Sequence, residues 1–525
     1  MKTLNFFDSN EILGQPVFSS STGRFRSYLS AGKILEEMDR FGIDCALVSH
    51  WDAINDHPSS GNAKLIEEIK GHNRLFPCWF VIPHHTGEMP EPKKLIKEMI
   101  SKNVRAVRLF PIFHNFSMEE WSVGPLLEEL EKKNILAIVH CPANKLYDIC
   151  KKHKELNIVG LAPLRELYPL LEKFDNLYAS LEYYPDNNLV EDICRRFGAH
   201  RLIFGTRQKD PYDTHSNVSA DWVSGPTKAM VEYAAISDKE KQMIAGGNLK
   251  RLLGGLSVPS VKHKPLPKLP CPIIDSHFHL GDIAYKYKSG TDVGSIIKTM
   301  DIIGVNKLCI NSTSAVNGGN HYEGNNYIGS ICKKYPERFI GFAVINPNFN
   351  DTEDEIKRCI EVLGLKGIKI HPRLHACKLT DEKFKPVWEA SEKYSIPILA
   401  HTGEGQFGSS PEAFEHISQK YPKGIFLLGH SGDNLEGLQI CMKIAKKRKN
   451  VYLGTSDIVF AYNGMLEYAV KQIGADKILF ESDACYIDSR YSLGIILYAR
   501  ITDKDKARIL GLNMARILKL KHCRG

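Results

Sequence analysis

Short apolar runs recur through the second half of the chain, each followed by a longer stretch with apolar residues at three- and four-residue spacing. The runs Cys271–Asp275, Lys307–Asn311, Phe339–Ile345, Gly367–Ile370, Pro397–Ala400, Ile425–Leu428, Val451–Gly454 and Ile478–Glu481 read as strands. Their near-continuous apolar character is that of strands covered on both faces. Stretches between them, such as Thr352–Leu363, Phe384–Tyr394, Asn434–Lys447 and Met465–Ile473, read as amphipathic helices. Eight strand-then-helix units of this size predict a (β/α)8 barrel of the TIM type. An open doubly wound sheet is the alternative.

The first half repeats the pattern. Asp8-Ser9, three variable positions and Leu13-Gly14 echo Asp275-Ser276, three positions and Leu280-Gly281. Arg108-Leu-Phe110-Pro111 echoes Lys369-Ile-His371-Pro372, and Ile135 to His140 echoes Ile396 to His401. Leu202 to Arg207 echoes Ile478 to Asp483, and Asn248 to Leu253 echoes Asn513 to Leu518. One ordered series at a nearly constant shift indicates a duplicated domain, not a short solenoid repeat. Between Gly254 and Pro272 the periodicity stops, and five prolines with Lys262, Lys264 and Lys268 mark a spacer. The expectation is α/β architecture, two tandem barrels over residues 1–258 and 271–525, with the two halves forming an intramolecular pseudo-dimer.

Polar residues fall at the predicted strand ends of the second half, where parallel barrels place their chemistry. His277 and His279 follow the first strand, two residues apart and so on one face. His371 ends the fourth strand, His401 the fifth, His430 the sixth and Asp483 the eighth. Imidazole nitrogen and carboxylate oxygen are donors that Zn2+ or a similar divalent ion accepts. Lys369 shares the face of His371 but lies deeper and reads as a buried or paired lysine. His321 and His375 read as loop histidines, and Cys485 as a pocket wall.

On the motifs His277-Phe-His279, Gly367-Ile-Lys-Ile-His371-Pro372, His401-Thr-Gly403, Gly429-His430-Ser-Gly432, Phe480-Glu-Ser-Asp483 and Asn513-Met-Ala-Arg516, the second half resembles the amidohydrolase superfamily. The similar branch is that of metal-dependent hydrolases and decarboxylases typified by aminocarboxymuconate-semialdehyde decarboxylase. The resemblance implies His277, His279, His401 and Asp483 as ligands of one divalent metal, Zn2+ first and Mn2+ as the alternative. It implies His430 as a catalytic or supporting histidine beside Asp483. A metal-activated water, Asp483 as proton acceptor and His430 at the substrate oxygen fit that picture. The main expectation is hydrolysis of a small polar molecule. Non-oxidative decarboxylation of a small carboxylic acid at the same metal is the alternative, and a non-catalytic binding or scaffold protein is a reading of another class. His371 and Glu404 are candidate substrate-binding residues. Gly403-Glu404-Gly405-Gln-Phe-Gly408 matches a dinucleotide fingerprint, but no ribose-binding acid follows the next strand, so a substrate loop is the better account.

The first half keeps only His140 of the ligand set. Asn10 and Ile12 replace the histidine pair, Phe110 replaces His371 and Arg207 replaces Asp483. An arginine is no metal ligand, so this barrel is expected to be non-catalytic, with Arg207 and Arg108 making an inert positive pocket. Arg24 or Arg26 is a candidate for reaching into the active site of the other half.

Composition adds little beyond this. Of 525 residues, 43% are hydrophobic and 25% charged, as in ordinary globular proteins. The net charge of +8 is dispersed, which argues against nucleic acid as a partner. There is no secretory h-region and no apolar run of the ~20 residues a membrane span needs. The 13 cysteines are scattered, with no Cys-x-x-Cys pair, so a reduced, cytoplasmic protein is expected.

Overall fold

The computed structural model describes residues 4–15, 28–182, 185–206, 224–259, 261, 269, 271–283, 287–456, 458–461 and 464–520. Arg24, Arg26, Arg207 and the spacer lysines lie outside the described residues. The chain holds two eight-stranded parallel sheets, each at the heart of its own compact unit and each with strands in sequence order. The first comprises β1 (Phe7–Leu13), β2 (Cys45–His50), β3 (Leu75–Phe80), β4 (Ala106–Leu109), β5 (Leu136–Val139), β6 (Ile158–Gly160), β7 (Leu177–Ser180) and β8 (Leu202–Ile203). The second comprises β9 (Ile273–Leu280), β10 (Val305–Ser312), β11 (Phe339–Val344), β12 (Gly367–Ile370), β13 (Pro397–His401), β14 (Ile425–Gly429), β15 (Val451–Gly454) and β16 (Ile478–Leu479). Helices connect the strands, as parallel pairing requires. Both units are (β/α)8 barrels.

Backbone hydrogen bonds join the last strand region to the first in each barrel. In the second, Ser276 N donates to Phe480 O (2.9 Å) and Asp483 N to His277 O (3.0 Å). In the first, Ser9 N donates to Phe204 O (3.1 Å). The first strand of each barrel carries a register shift at the same place, between Asp8 and Glu11 and between Asp275 and Phe278. A bulge of this kind re-aims side chains and is common beside active sites. Here it falls on the segment that carries His277.

Apolar residues fill one end of the second barrel. Cys309, Phe342, Leu399, Leu427, Tyr452 and Leu479 form a buried cluster with Met514 and Ile517 of the closing helix. Side chains two apart on a strand share a face. His401 therefore follows Leu399 on one face of β13, and polar groups stand beyond an apolar floor. Among the described residues, no helix is long and apolar enough to cross a membrane.

The predicted elements differ from the observed ones mainly at their ends. Helix Met465–Ile473 and strands β12 and β15 match the predicted spans. The first strand of the second barrel runs to Leu280, so His277 and His279 lie within β9 and do not follow it. The predicted helix Thr352–Leu363 is an α-helix to Lys357 continued by a π-helical turn, Arg358–Val362.

Candidate metal centre

Four of the singled-out side chains meet at the rim of the second barrel. His277 Nε2 lies 3.0 Å from His279 Nε2 and 3.4 Å from Asp483 Oδ1. His279 Nε2 lies 3.1 Å from the same carboxylate oxygen. His430 joins them, and a donor atom from each of His277, His430 and Asp483 lies within 4.8 Å of the others. All four side chains are buried. His430 (φ +64°) and Asp483 (φ +56°) both sit in left-handed backbone conformations. Non-glycine residues take that conformation at a cost of about 1–3 kcal/mol, which the surrounding structure must offset.

His401 adjoins this group without closing on it. Its ring is 4.6 Å from that of His430 and stacks on His371 at 3.9 Å, but its Nε2 is hydrogen-bonded to Gln406 Oε1 (2.8 Å). Gln406 Nε2 donates in turn to Asp433 Oδ2 (2.6 Å). His371 is buried and belongs to the site through that stacking contact. Glu404 faces elsewhere, its carboxylate accepting from Ser410 Oγ (2.8 Å). The loop residue that reaches the histidines is Gln406, which the sequence pattern did not single out.

Lys369 is fully buried, and its Nζ lies 2.7 Å from His277 Nε2. His375 lies in a loop, as read, and is buried, with its ring 6.5 Å from that of His371; His321, also read as a loop residue, instead opens a helix and is buried. Cys485 is a buried wall whose thiol is pushed up to about 12 by burial, which leaves it unreactive.

The electrostatics follow from burial. Desolvation pulls His277, His371 and His401 well below the ordinary imidazole range, holds His279 near about 4 and also lowers His430. These rings are neutral near pH 7, the state in which imidazole ligates. Burial opposes ionisation of Asp483, but the His279 hydrogen bond and the fields of His430 and Lys369 outweigh it and hold the carboxyl low. Burial lowers Lys369 and raises Glu481, and each attracts the charged form of the other.

Two features were invisible in the motifs. Asp275 Oδ1 accepts from His277 N and Ser482 N, each at 3.0 Å, and its other oxygen accepts from Ser482 Oγ. Glu481 Oε2 accepts from Ser456 Oγ (2.9 Å) and stands 3.5 Å from His277 Nδ1.

The donor set suits a divalent cation. Two imidazole Nε2 atoms face each other at 3.0 Å beside an ionised carboxylate, all of it buried. A cation there would replace the Nε2 hydrogen that His279 directs at Asp483 and take both imidazole nitrogens and the carboxylate as donors. His277, His279 and Asp483 would hold such an ion, with His430 in reach. His401 would join only by releasing Gln406 or presenting Nδ1.

The first barrel has the same frame around different chemistry. Asp8 Oδ1 accepts from Asn10 N (2.9 Å) and Thr206 N (2.8 Å), as Asp275 does from its counterparts. Ile12, opposite His279 in the repeat, packs with Trp51. Arg108, opposite Lys369, does not furnish a free positive pocket. Its guanidinium is buried, donates to Ser9 O (2.8 Å) and pairs with Glu182 Oε2 (3.2 Å).

Residues 310–520 match the family described as amidohydrolase. The second barrel is amidohydrolase-like. Two curated relatives are decarboxylases. The chain is 31% identical over 81 residues to 2-amino-3-carboxymuconate-6-semialdehyde decarboxylase from Dictyostelium discoideum, a match covering 15% of this chain and 23% of that enzyme. It is 22% identical over 250 residues to gamma-resorcylate decarboxylase from Rhizobium sp. (strain MTP-10005), covering 37% of this chain and 75% of that enzyme. Among solved structures, dihydroxybenzoic acid decarboxylase from Polaromonas sp. JS666, with bound manganese and the inhibitor 2-nitroresorcinol, superposes with a TM-score of 0.40 at 20% identity. That match covers 48% of this chain and 97% of the other.

Proposed function

We propose that the amidohydrolase-like barrel is a metal-dependent decarboxylase of a small aromatic carboxylic acid. The observation that carries this reading is the convergence of His277, His279 and Asp483, with His430 beside them, in a barrel whose curated relatives named above are decarboxylases. Those relatives support the alternative over the hydrolysis that the motifs favoured. The metal would supply positive charge to orient and polarise an oxygen of the acid. An imidazole and carboxylate donor set accommodates either Zn2+ or Mn2+.

The chain's own residues have defined tasks in this reaction. The bond between the ring carbon and the carboxyl carbon breaks, carbon dioxide leaves, and the ring carbon takes up one proton. A donor must hold that proton at the ring carbon, and His430 and Asp483 are the groups placed to exchange it. An aromatic substrate also needs an apolar wall and a cation for its anionic groups. Tyr486 meets the edge of His279 at 4.9 Å, and Lys288 Nζ lies 3.7 Å over the Tyr486 ring. The first barrel takes no part in the chemistry on this reading, since Asn10 and Ile12 replace both histidines and the Arg108 guanidinium is paired with Glu182.

The test is product analysis on purified protein loaded with Mn2+ or Zn2+. 2,6-Dihydroxybenzoate and related hydroxybenzoates should release carbon dioxide without net uptake of water, and a chelator should stop it. Turnover of esters, amides or lactones with no carbon dioxide from any aromatic acid would return the assignment to hydrolysis.

A further inference from the structure

We infer that Glu481 is a positioning residue for two histidines of this site, acting on His277 directly and on His430 through Ser456. The inference rests on the preceding reading only in taking those imidazoles as working groups. The Oε2 atom of Glu481 is shared between the two branches. It accepts from Ser456 Oγ at 2.9 Å and stands 3.5 Å from His277 Nδ1. Ser456 Oγ lies 3.2 Å from His430 Nδ1. Neither His277 Nδ1 nor Glu481 Oε1 forms a hydrogen bond, and a small shift of the carboxylate would close the 3.5 Å gap to His277 Nδ1.

Both branches end on Nδ1. In His277 the other nitrogen, Nε2, faces His279 and Asp483. In His430 the nitrogen that Ser456 engages is likewise Nδ1. The direction of the hydrogens follows from the groups available. A serine hydroxyl has one hydrogen, and Glu481 Oε2 is the carboxyl oxygen that accepts it. Ser456 therefore gives its hydrogen to Glu481 and accepts from His430 Nδ1–H. The neutral His430 ring then carries its proton on Nδ1 and not on Nε2. His277 Nδ1–H facing Glu481 gives the same tautomer there. Carboxylates that hold the outer nitrogen of a metal-binding imidazole fix its tautomer and orientation in this way.

The barrel is cut to admit this carboxylate. Gly454 stands beside it on β15, and a Cβ there would come within 1.8 Å of Glu481 Oε2. In the repeat, Gly205 stands at the place of Glu481, Ser180 at that of Gly454 and Glu182 at that of Ser456. The half without the histidine pair thus keeps a buried acid but carries it on the neighbouring strand, where it pairs with Arg108. A buried acid aimed at imidazole Nδ1 atoms accompanies the histidines alone.

The test compares wild type, Glu481→Gln and Ser456→Ala. Metal-free protein with 15N-labelled histidine reads the tautomers by NMR, and chelator competition reads Mn2+ and Zn2+ affinity. Glu481→Gln should weaken metal binding by roughly 10–100-fold and move both the His277 and His430 nitrogen shifts. Ser456→Ala should move only the His430 shifts and leave metal affinity within about threefold. On an active enzyme it should alter the pH profile of kcat more than KM. Unchanged imidazole shifts in Glu481→Gln, with wild-type metal affinity, would overturn the inference. If Glu481→Gln fails to fold, unchanged His430 shifts in Ser456→Ala overturn it alone. A wild type that binds metal but decarboxylates nothing would sink the functional reading, while the tautomer and affinity measurements would still decide the role of Glu481.

Discussion

Asp275 and Ser482 lie at opposite ends of the second barrel's sequence and are joined by two hydrogen bonds through one carboxyl group. The same carboxyl accepts from His277 N, so it fastens the bulge of the first strand to the start of the last rim loop. Asp8 and Thr206 repeat the arrangement in the first barrel. This explains why the Asp-Ser frame is present in both halves while the histidines are not: it closes the barrel and has no need of the metal. Asp275→Ala should strand three buried donors and destabilise the second barrel by about 3 kcal/mol. Asp8→Ala should do the same to the first. Urea unfolding followed by separate probes for the two barrels checks both, and a loss below about 1 kcal/mol would remove the clamp from the account.

Metal stoichiometry tests the centre. His279→Ala and Asp483→Asn should lower bound metal from one equivalent to a small fraction and abolish decarboxylation, measured by elemental analysis after dialysis. His401→Ala should have a smaller effect on binding than His279→Ala, because His401 Nε2 is held by Gln406. An equal loss in the two would mean that Gln406 gives way when the ion binds.

Acid should destabilise the metal-free protein through the second barrel. His279 has a folded value near about 4, below the ordinary 6.5, so its contribution is present above pH 6.5 and is lost as pH falls through 4. The full shift corresponds to about 3 kcal/mol. His277, His371, His401 and His430 are shifted in the same direction. Asp275 opposes them. Burial raises it to about 7, so its contribution is present below about pH 4 and is lost as pH rises through 7. Glu481, also raised by burial, opposes them in the same sense, and five imidazoles against two carboxyls make the acid limb dominant. Denaturation midpoints should fall steeply between pH 6.5 and 4 and only slightly from 6 to 8.

The ion pair of the first barrel gives a sharper contrast. Arg108→Met should leave Glu182 buried without its partner and cost about 3–5 kcal/mol. The double variant Arg108→Met with Glu182→Leu should recover most of that loss, because two apolar side chains of similar volume can replace a buried pair at little cost. Equilibrium unfolding of the two proteins decides it. A double variant as unstable as the single one would show that Arg108 acts through Ser9 O instead.

Much of this was legible in the sequence, for identifiable reasons. Strands such as Gly367–Ile370 and Val451–Gly454 announce themselves because both faces are buried and the runs, Lys369 apart, are apolar or glycine. The histidines of the rim stand out because imidazole at a barrel strand end has few structural uses. Asp275, Gln406 and Glu481 gave no such signal. Their partners Ser482, His401 and Ser456 are brought close only when the barrel closes or a loop folds back. Arg108 misled in the opposite way. A guanidinium on a strand reads as an open charge until Glu182, on a non-adjacent strand region, is seen to neutralise it.

The exchange of glycine and acid between the seventh and eighth strands limits how the halves can be recombined. Grafting β16 and its Glu481 into the first barrel would drive the new side chain into Ser180 and Glu182, which crowd Gly205. Grafting β7 with its following Glu182 into the second would add a Cβ at Gly454 against Glu481. Viable chimeras must therefore move the two strands as one cassette, and duplicated barrels that have made this exchange can no longer trade single strands.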